Sequence, residues 1–368
     1  MWIFILGAVA AGYAAGLAYI SFRTAGALLM KKLTGEKKRR ARMICLAFYI
    51  TLTALLWLAF GIVNALISMI HLYVFWLICD LVRYIIIKVR KKRPERYYAG
   101  CAAAFLCVIY LTYGWISAHH VRQTFYEFTS AKVSSPLRIV QITDSHIGVT
   151  FDAAGFGKYI DEISALSPDA VVVTGDFVDD DTSKEDMIGG CEALGRLKTK
   201  YGVYYVWGNH DKGYYSERSR GWAITELRSK LEEHGVVILE DEARLIDDSF
   251  YIAGRLDRSS RGRKSAAELM SALDTDKYVV MLDHQPYDFD AEAEAGADLV
   301  LCGHTHGGQL IPINHVGEWI GENCLRYGHE KRIETDFIVS SGISNWALKF
   351  KTGCFSEYVI IDVKPLSV

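Results

Sequence analysis

The sequence predicts an α/β domain of about 230 residues behind an apolar helical region, and three observations carry that expectation. The charge is split: residues 1–118 hold 15 Lys and Arg against 3 Asp and Glu, while the remainder holds 26 against 40. Long uncharged runs fill the first third of the chain. From residue 137 onward, short β-branched runs alternate with amphipathic stretches, the pattern of strands covered on both faces by helices. The near-neutral total of −2 over 368 residues therefore hides two chemically different halves. An acidic second half argues against a polymeric nucleic-acid partner, which needs basic surface to neutralise phosphates.

In chain order, Trp2 to Ile20 carries no charge and is long enough to cross hydrocarbon. A basic loop comes next, Lys31-Lys32 and then Lys37-Lys38-Arg39-Arg40-Ala41-Arg42. Ile44 to Cys79 has no formal charge and is too long for one ordinary span; Asn64, Ser68 and His71 near its middle suggest a tight turn between two helices. Lys88 to Arg96 is a second basic loop, and Ala99 to Ser117 a fourth apolar run. No clear small-residue cleavage site precedes the first basic loop, so the first run reads as a span and not as a signal peptide. Four spans with both basic loops in the cytoplasm place the C-terminal domain outside, as part of a multi-pass protein of the cell membrane. The expected organisation is a transmembrane region at 1–118, a polar linker at 119–136 and an α/β domain at 137–368.

Within that domain the expected strands are 137–142, 170–174, 202–207, 250–254, 278–282, 298–302, 336–340 and 358–363. Expected helices are 157–166, 187–198, 224–234 and 265–273. Four cysteines (Cys45, Cys79, Cys101, Cys107) sit in apolar runs as small hydrophobes. The others show no CxxC spacing and leave a Cys324–Cys354 disulfide open.

Five of the strands are followed by metal-binding side chains. They are Thr143-Asp144-Ser145-His146, Gly175-Asp176-Phe177-Val178-Asp179, Gly208-Asn209-His210-Asp211, Asp283-His284 and Gly303-His304-Thr305-His306. The carboxyl ends of strands form the ligand crevice in open α/β folds, so five such tips converge on one place. A lone His-x-His also suits a polar turn; in an extended segment its two rings would share one side, with Cα atoms about 6.5 Å apart. Carboxylate and imidazole together suit manganese, iron or zinc, and a carboxylate can bridge two such ions. A pair about 3.5–4 Å apart can share a hydroxide as nucleophile for phosphoryl displacement.

In this order, the five motifs resemble the calcineurin-like metallophosphoesterase superfamily, over residues 137–368. The resemblance implies a sandwich of two mixed β-sheets flanked by helices, and hydrolysis of phosphoesters. Carried over by position, it implies that Asp144, His146 and His306 hold one metal, that Asp176 bridges, and that Asn209, His284 and His304 hold the second. It further implies that His210 contacts the substrate phosphate and protonates the leaving group, oriented by Asp179. Asp211 is expected to cap a following helix, and Asp180 and Asp181 to be solvated loop. Tyr214, Tyr215 and Arg218 are candidates for the substrate pocket. Gly307-Gly308-Gln309 resembles the membrane-anchored, envelope-associated branch, which includes enzymes similar to UDP-diacylglucosamine pyrophosphohydrolases. The leading expectation is a membrane-tethered phosphoesterase of a lipid-linked or envelope substrate. The alternatives are an extracellular nucleotide phosphodiesterase or phosphatase, and a non-catalytic scaffold or sensor.

Overall fold

The computed structural model describes residues 2–26, 34, 35, 37–94 and 96–366, so the Lys31-Lys32 pair of the first basic loop and Glu95 of the second lie outside the described residues. The chain forms two compact units, 1–114 and 115–368.

Four helices lead the chain: α1 (Trp2–Ala25), α2 (Lys38–Phe60), α3 (Ile62–Arg90) and α4 (Ala99–His119). Among the described residues three of them, α2, α3 and α4, are long and apolar enough to cross a membrane, against the four expected. The described part of α1 is diluted by Gly, Ala and Tyr and carries Arg23 near its end. Large apolar side chains face outward on the three, among them Trp57, Leu58, Phe105 and Val108. Outward apolar surface of this extent suits lipid contact.

The turn expected near Asn64 and Ser68 lies instead at Gly61, whose φ of 86° and ψ of 159° separate α2 from α3. Asn64 and Ser68 are helical because each side chain donates to the carbonyl four residues back, Phe60 at 3.0 Å and Asn64 at 2.7 Å. That local bond satisfies their polar atoms inside an apolar helix.

The second unit holds two six-stranded sheets. In chain order its elements are β1 (Arg122–Ser130), β2 (Leu137–Ile142), α5 (Ala153–Ala165), β3 (Ala170–Thr174), α6 (Lys184–Gly195), β4 (Val203–Val206), α7 (Glu217–Arg220), α8 (Ile224–Glu233), β5 (Val236–Ile238), β6 (Glu242–Ile246), β7 (Phe250–Gly254), α9 (Ala266–Met270), β8 (Tyr278–Leu282), α10 (Phe289–Glu294), β9 (Leu299–Cys302), α11 (Val316–Trp319), β10 (Gly328–Arg332), β11 (Thr335–Val339) and β12 (Glu357–Pro365). Sheet order is β1-β12-β2-β3-β4-β5 and β10-β11-β9-β8-β7-β6. Strands β2 to β5 run parallel, as do β7, β8, β9 and β11, while β12 against β2, β6 against β7 and β10 against β11 are antiparallel.

Side-chain alternation builds three buried layers from these strands. Ile139, Val172, Tyr204, Val280, Leu282, Leu301 and Ile338 meet between the sheets. Their neighbours Val140, Val171, Val173 and Tyr205 face the other way, against Phe156 and Ile160 of α5 and Leu227 of α8. Val279, Met281 and Val300 pack against Leu269 and Phe289 on the far side. The helices begin where side chains satisfy their first amides: Asp152 for α5, Ser183 for α6, and a full Ser265–Glu268 capping box for α9.

The polar linker expected at 119–136 contains β1, which pairs in parallel with β12 along its whole length. Its alternation is half-exposed, with Phe125 facing solvent, so it lacks the apolar run that marks the inner strands. A large-to-small change in the inter-sheet layer should leave a cavity that rigid sheets cannot close. Ile338→Ala is expected to cost about 2–4 kcal/mol, read as a lower unfolding midpoint of the full chain at fixed metal concentration.

Candidate metal centre

The parallel strands place their carboxyl ends side by side, and the residues just beyond them meet. Asp144, His146 and His306 form one group and Asp176, His284 and His304 a second, the ligand atoms within each lying inside 4.8 Å of one another. Asp176 stands between the groups: its Oδ2 is 3.2 Å from His284 Nε2 and 3.7 Å from His146 Nε2. Asn209 joins the second group through Oδ1, 3.2 Å from His284 Nε2, while its Nδ2 donates to the Tyr214 hydroxyl at 2.9 Å. All seven residues carried over as ligands are therefore neighbours.

The backbone explains how short strands deliver so many ligands. Asp144, His146, Asp176, His304 and His306 all have φ between 34° and 71°. Left-handed backbone is uncommon for residues with a Cβ and is held only where surroundings over-determine it. The GHTH segment is thus a turn, not the extended run that would put both rings on one side, and this is why His304 and His306 serve different groups. The chain around these turns is tightly fitted. A Cβ on Gly303 would strike Thr143 and Asp144, and one on Gly208 would strike Asp176.

A hydrogen bond fixes the tautomer of His284. His284 Nδ1 lies 2.7 Å from the Thr174 carbonyl, so it donates there and leaves Nε2 facing Asp176 and Asn209. Asp179 Oδ2 lies 3.2 Å from His146 Nδ1. The resemblance placed Asp179 as the partner of His210; the geometry sets it beside His146, where the loops after β2 and β3 run side by side, the His146 and Ile147 amides donating to the Asp176 and Phe177 carbonyls. Both ring nitrogens of His146, with His304 Nδ1 and His306 Nδ1, are buried without a hydrogen-bond partner, and unpartnered imidazole nitrogens among carboxylates suit divalent ions. The residues present fit a pair of divalent ions.

The charges sort in the same way. Burial opposes ionisation of Asp176, but His284 and His146 outweigh it and hold the carboxyl well below its usual range. Burial works against a charged His284 too, yet Asp176 raises it well above the ordinary histidine value. Burial, then His284, pushes His304 down to about 4. Burial and the nearby His146 also lower His306.

Asp211 does not cap a helix. It is fully buried and accepts from the backbone amides of Gly208 (2.7 Å), Phe177 (2.8 Å), Asp176 (3.1 Å) and Val178 (3.2 Å). Burial, with Asp176 next, pushes its carboxyl up to about 7. Asp180, expected to be solvated, accepts from the amides of Tyr214 (2.9 Å) and Tyr215 (2.9 Å), pinning the segment after His210. Tyr214 and Trp346 flank the His210 ring, each with centroid separations of 5.1 Å, while the His210 amide donates to Asp176 Oδ1 at 2.8 Å. Tyr215 is exposed.

Three contributors carried no sequence signal. Trp346 lies in the loop after β11, where nothing resembles a ligand motif. Asp257, buried beyond the β7 tip, accepts from Gln285 Nε2 at 2.7 Å and so braces the segment after His284. Lys351 is wholly buried, donating to the Ser341 (2.7 Å) and Ser344 (3.1 Å) carbonyls, which holds the loop whose Gly342 abuts Asp144. All eight cysteines are free thiols, Cys324 and Cys354 included.

Two sheets present paired imidazole–carboxylate groups around one shared aspartate, an arrangement suited to holding two metal ions. Residues 137–308 match the family described as calcineurin-like phosphoesterase. It is 30% identical over 232 residues to an uncharacterized metallophosphoesterase of Campylobacter jejuni, covering 62% of this chain and 59% of that protein. It is also 30% identical over 191 residues to a transmembrane protein with metallophosphoesterase domain of Danio rerio, covering 48% and 42%. An uncharacterized metallophosphoesterase of Bacillus subtilis is 28% identical over 200 residues, covering 51% and 70%. The chain spans about three-fifths of the length of the first of these relatives.

Removing Asp211 would strand four buried amides beneath Asp176 without removing a ligand. Asp211→Ala is expected to weaken divalent-metal affinity about 10–100-fold in a calorimetric titration. The wild-type titration has its own expected sign. A ligand imidazole binds metal only when neutral, and His284 holds its proton above the usual range. Metal uptake should therefore release protons and tighten as pH rises, seen as a heat that changes with buffer ionisation enthalpy.

Proposed function

We propose that this protein is a membrane-tethered, two-metal phosphoester hydrolase, with its catalytic unit on the extracytoplasmic side of the cell membrane and a lipid-linked or envelope phosphoester as substrate. The observation that carries the chemistry is Asp176 standing between two groups of imidazoles. When bound there, divalent ions supply an activated water and neutralise charge on the phosphoryl oxygens. The chain's own residues do the rest. His210, held by its amide on Asp176 and by its flanking rings, is the proton donor to the leaving oxygen. Burial lowers its pKa, so its proton is loosely held, and an anionic phosphate beside it favours the charged form from which it donates.

The lipid reading is supported by the segment beyond the last ligand motif. Ile311, Ile313, Trp319 and Ile320 are exposed in the 14 residues that follow His306, Trp319 by 74%. An apolar surface next to a polar site suits a substrate with a phosphate at one end and hydrocarbon at the other. The placement outside rests on loop charge. Lys38, Arg39, Arg40 and Arg42 begin α2, while Lys88, Arg90, Lys91 and Lys92 end α3, so a hairpin at Gly61 brings both basic ends to one side. A second reading is a nucleotide substrate, favoured by the Tyr214 and Trp346 rings beside His210, where a base could stack.

Hydrolysis of an aryl phosphodiester with added manganese tests the chemistry. His210→Ala should lower kcat about 10²–10⁴-fold and Asp176→Asn should abolish turnover; either variant matching wild type would sink the assignment. Preference for a solubilised phospholipid phosphoester over a nucleotide phosphodiester, lost in Trp319→Glu, is the outcome expected of the lipid reading. A reporter joined after residue 368 should be active only outside the cytoplasm.

A further inference from the structure

The helical unit encloses a cavity of about 490 Å³ that the hydrolase chemistry does not use. It opens where α1 ends and α2 begins, beside the last turns of α3, and is lined by Phe22, Arg23, Lys38, Arg42, Arg83 and Tyr97. Four of those six side chains are cationic.

One of the four charges is already balanced. Arg23 Nη2 lies 2.5 Å from Asp80 Oδ1, and its Nε donates to the Tyr97 hydroxyl at 3.2 Å. Asp80 is engaged by three donors, since the Tyr19 and Tyr97 hydroxyls also donate to it at 2.6 and 2.9 Å. Among the described residues, Lys38, Arg42 and Arg83 have no carboxylate partner. Arg42 and Arg83 rest over aromatic faces, 4.7 Å from the Phe22 centroid and 5.4 Å from that of Tyr97. Such stacking orients a guanidinium without using its N–H groups. The Arg83 Nε is buried with no hydrogen-bond acceptor, a cost that a bound anion would remove.

We propose that this cavity is an anion site for a phosphate group, distinct from the metal centre, with an anionic membrane lipid headgroup or free phosphate as its source. Guanidinium forks match phosphate oxygens two at a time, and the volume admits a phosphoglycerol-sized group. The position favours the lipid. The cavity lies at the basic ends of the apolar helices α2 and α3, where a bilayer's phosphates would stand, and basic pockets between such helices recognise anionic headgroups. Phe22, 54% exposed on the rim, offers apolar contact for the first carbons of an acyl chain.

The test uses the full chain in detergent, titrated separately with short-chain phosphatidylglycerol, short-chain phosphatidylcholine and inorganic phosphate, with the melting temperature as readout. Saturable stabilisation by phosphatidylglycerol and not by phosphatidylcholine is expected. Arg83→Gln and Arg42→Gln should each weaken it about tenfold, or about 1.4 kcal/mol, while Arg90→Gln, outside the cavity, leaves it unchanged. Inorganic phosphate saturating as tightly as the lipid, with the same dependence on Arg83 and Arg42, would support the site and assign it to free phosphate. Saturation by neither probe, or equal weakening by Arg90→Gln, overturns the proposal. Helicity and aryl phosphodiester turnover identify a variant that has not folded; should that be Arg83→Gln, Arg42→Gln and Lys38→Gln decide.

Discussion

A single buried carboxylate, Asp176, organises the catalytic unit. It stands within 3.7 Å of imidazoles from two different sheets, and no other side chain near it could replace that double contact. A fully buried aspartate is costly unless opposite charge surrounds it. Here the charge arrives from His284 on one side and His146 on the other, and outweighs burial. Asp211 locks the peptide that carries Asp176 by taking three successive amides from residues 176 to 178, and a fourth from Gly208. Two strands are thereby tied beneath the site, so β3 and β4 cannot shift independently.

That constraint accounts for the strained turns. Ligands on left-handed backbone cost conformational energy, and the sheets supply the rigidity that maintains them. Gln141 shows how the two sheets are joined near the site. Its Nε2 donates to the Thr174 hydroxyl within its own sheet and to the Cys302 carbonyl of the other, both at 2.9 Å. His304 adds a second tie, its amide 3.0 Å from both oxygens of Asp144. The candidate metal centre and the inter-sheet contact therefore share the residues that join the two sheets.

The helical unit follows a different economy of charge. Its apolar faces suit lipid, its cations collect at one end, and a single aspartate there is engaged by Arg23 and two tyrosines. The proposed orientation and the proposed anion site both draw on this one uneven distribution of charge.

Much of this was legible in the residues themselves. Inner strands announced themselves as apolar runs, because burial on both faces demands them, and β7 and β8 fall where those runs do. The seven candidate ligands were legible because metal chemistry restricts residue type at each strand tip, and the folded chain makes them neighbours. Edge strands such as β1 were not, since half-exposed alternation in a polar segment looks like loop until β12 is beside it. The helical turn was misplaced at Asn64 because a polar residue in an apolar helix can satisfy itself on its own backbone, which only the folded chain reveals. Partnership was likewise a tertiary matter. Whether Asp179 faces His146 or His210, whether Asp211 caps a helix or clamps a neighbouring loop, and that Trp346 reaches His210 from 136 residues away all depend on how strands lie beside one another. Sequence alone determined which chemical groups were present and at which strand ends; the sheet geometry decided which of them touch.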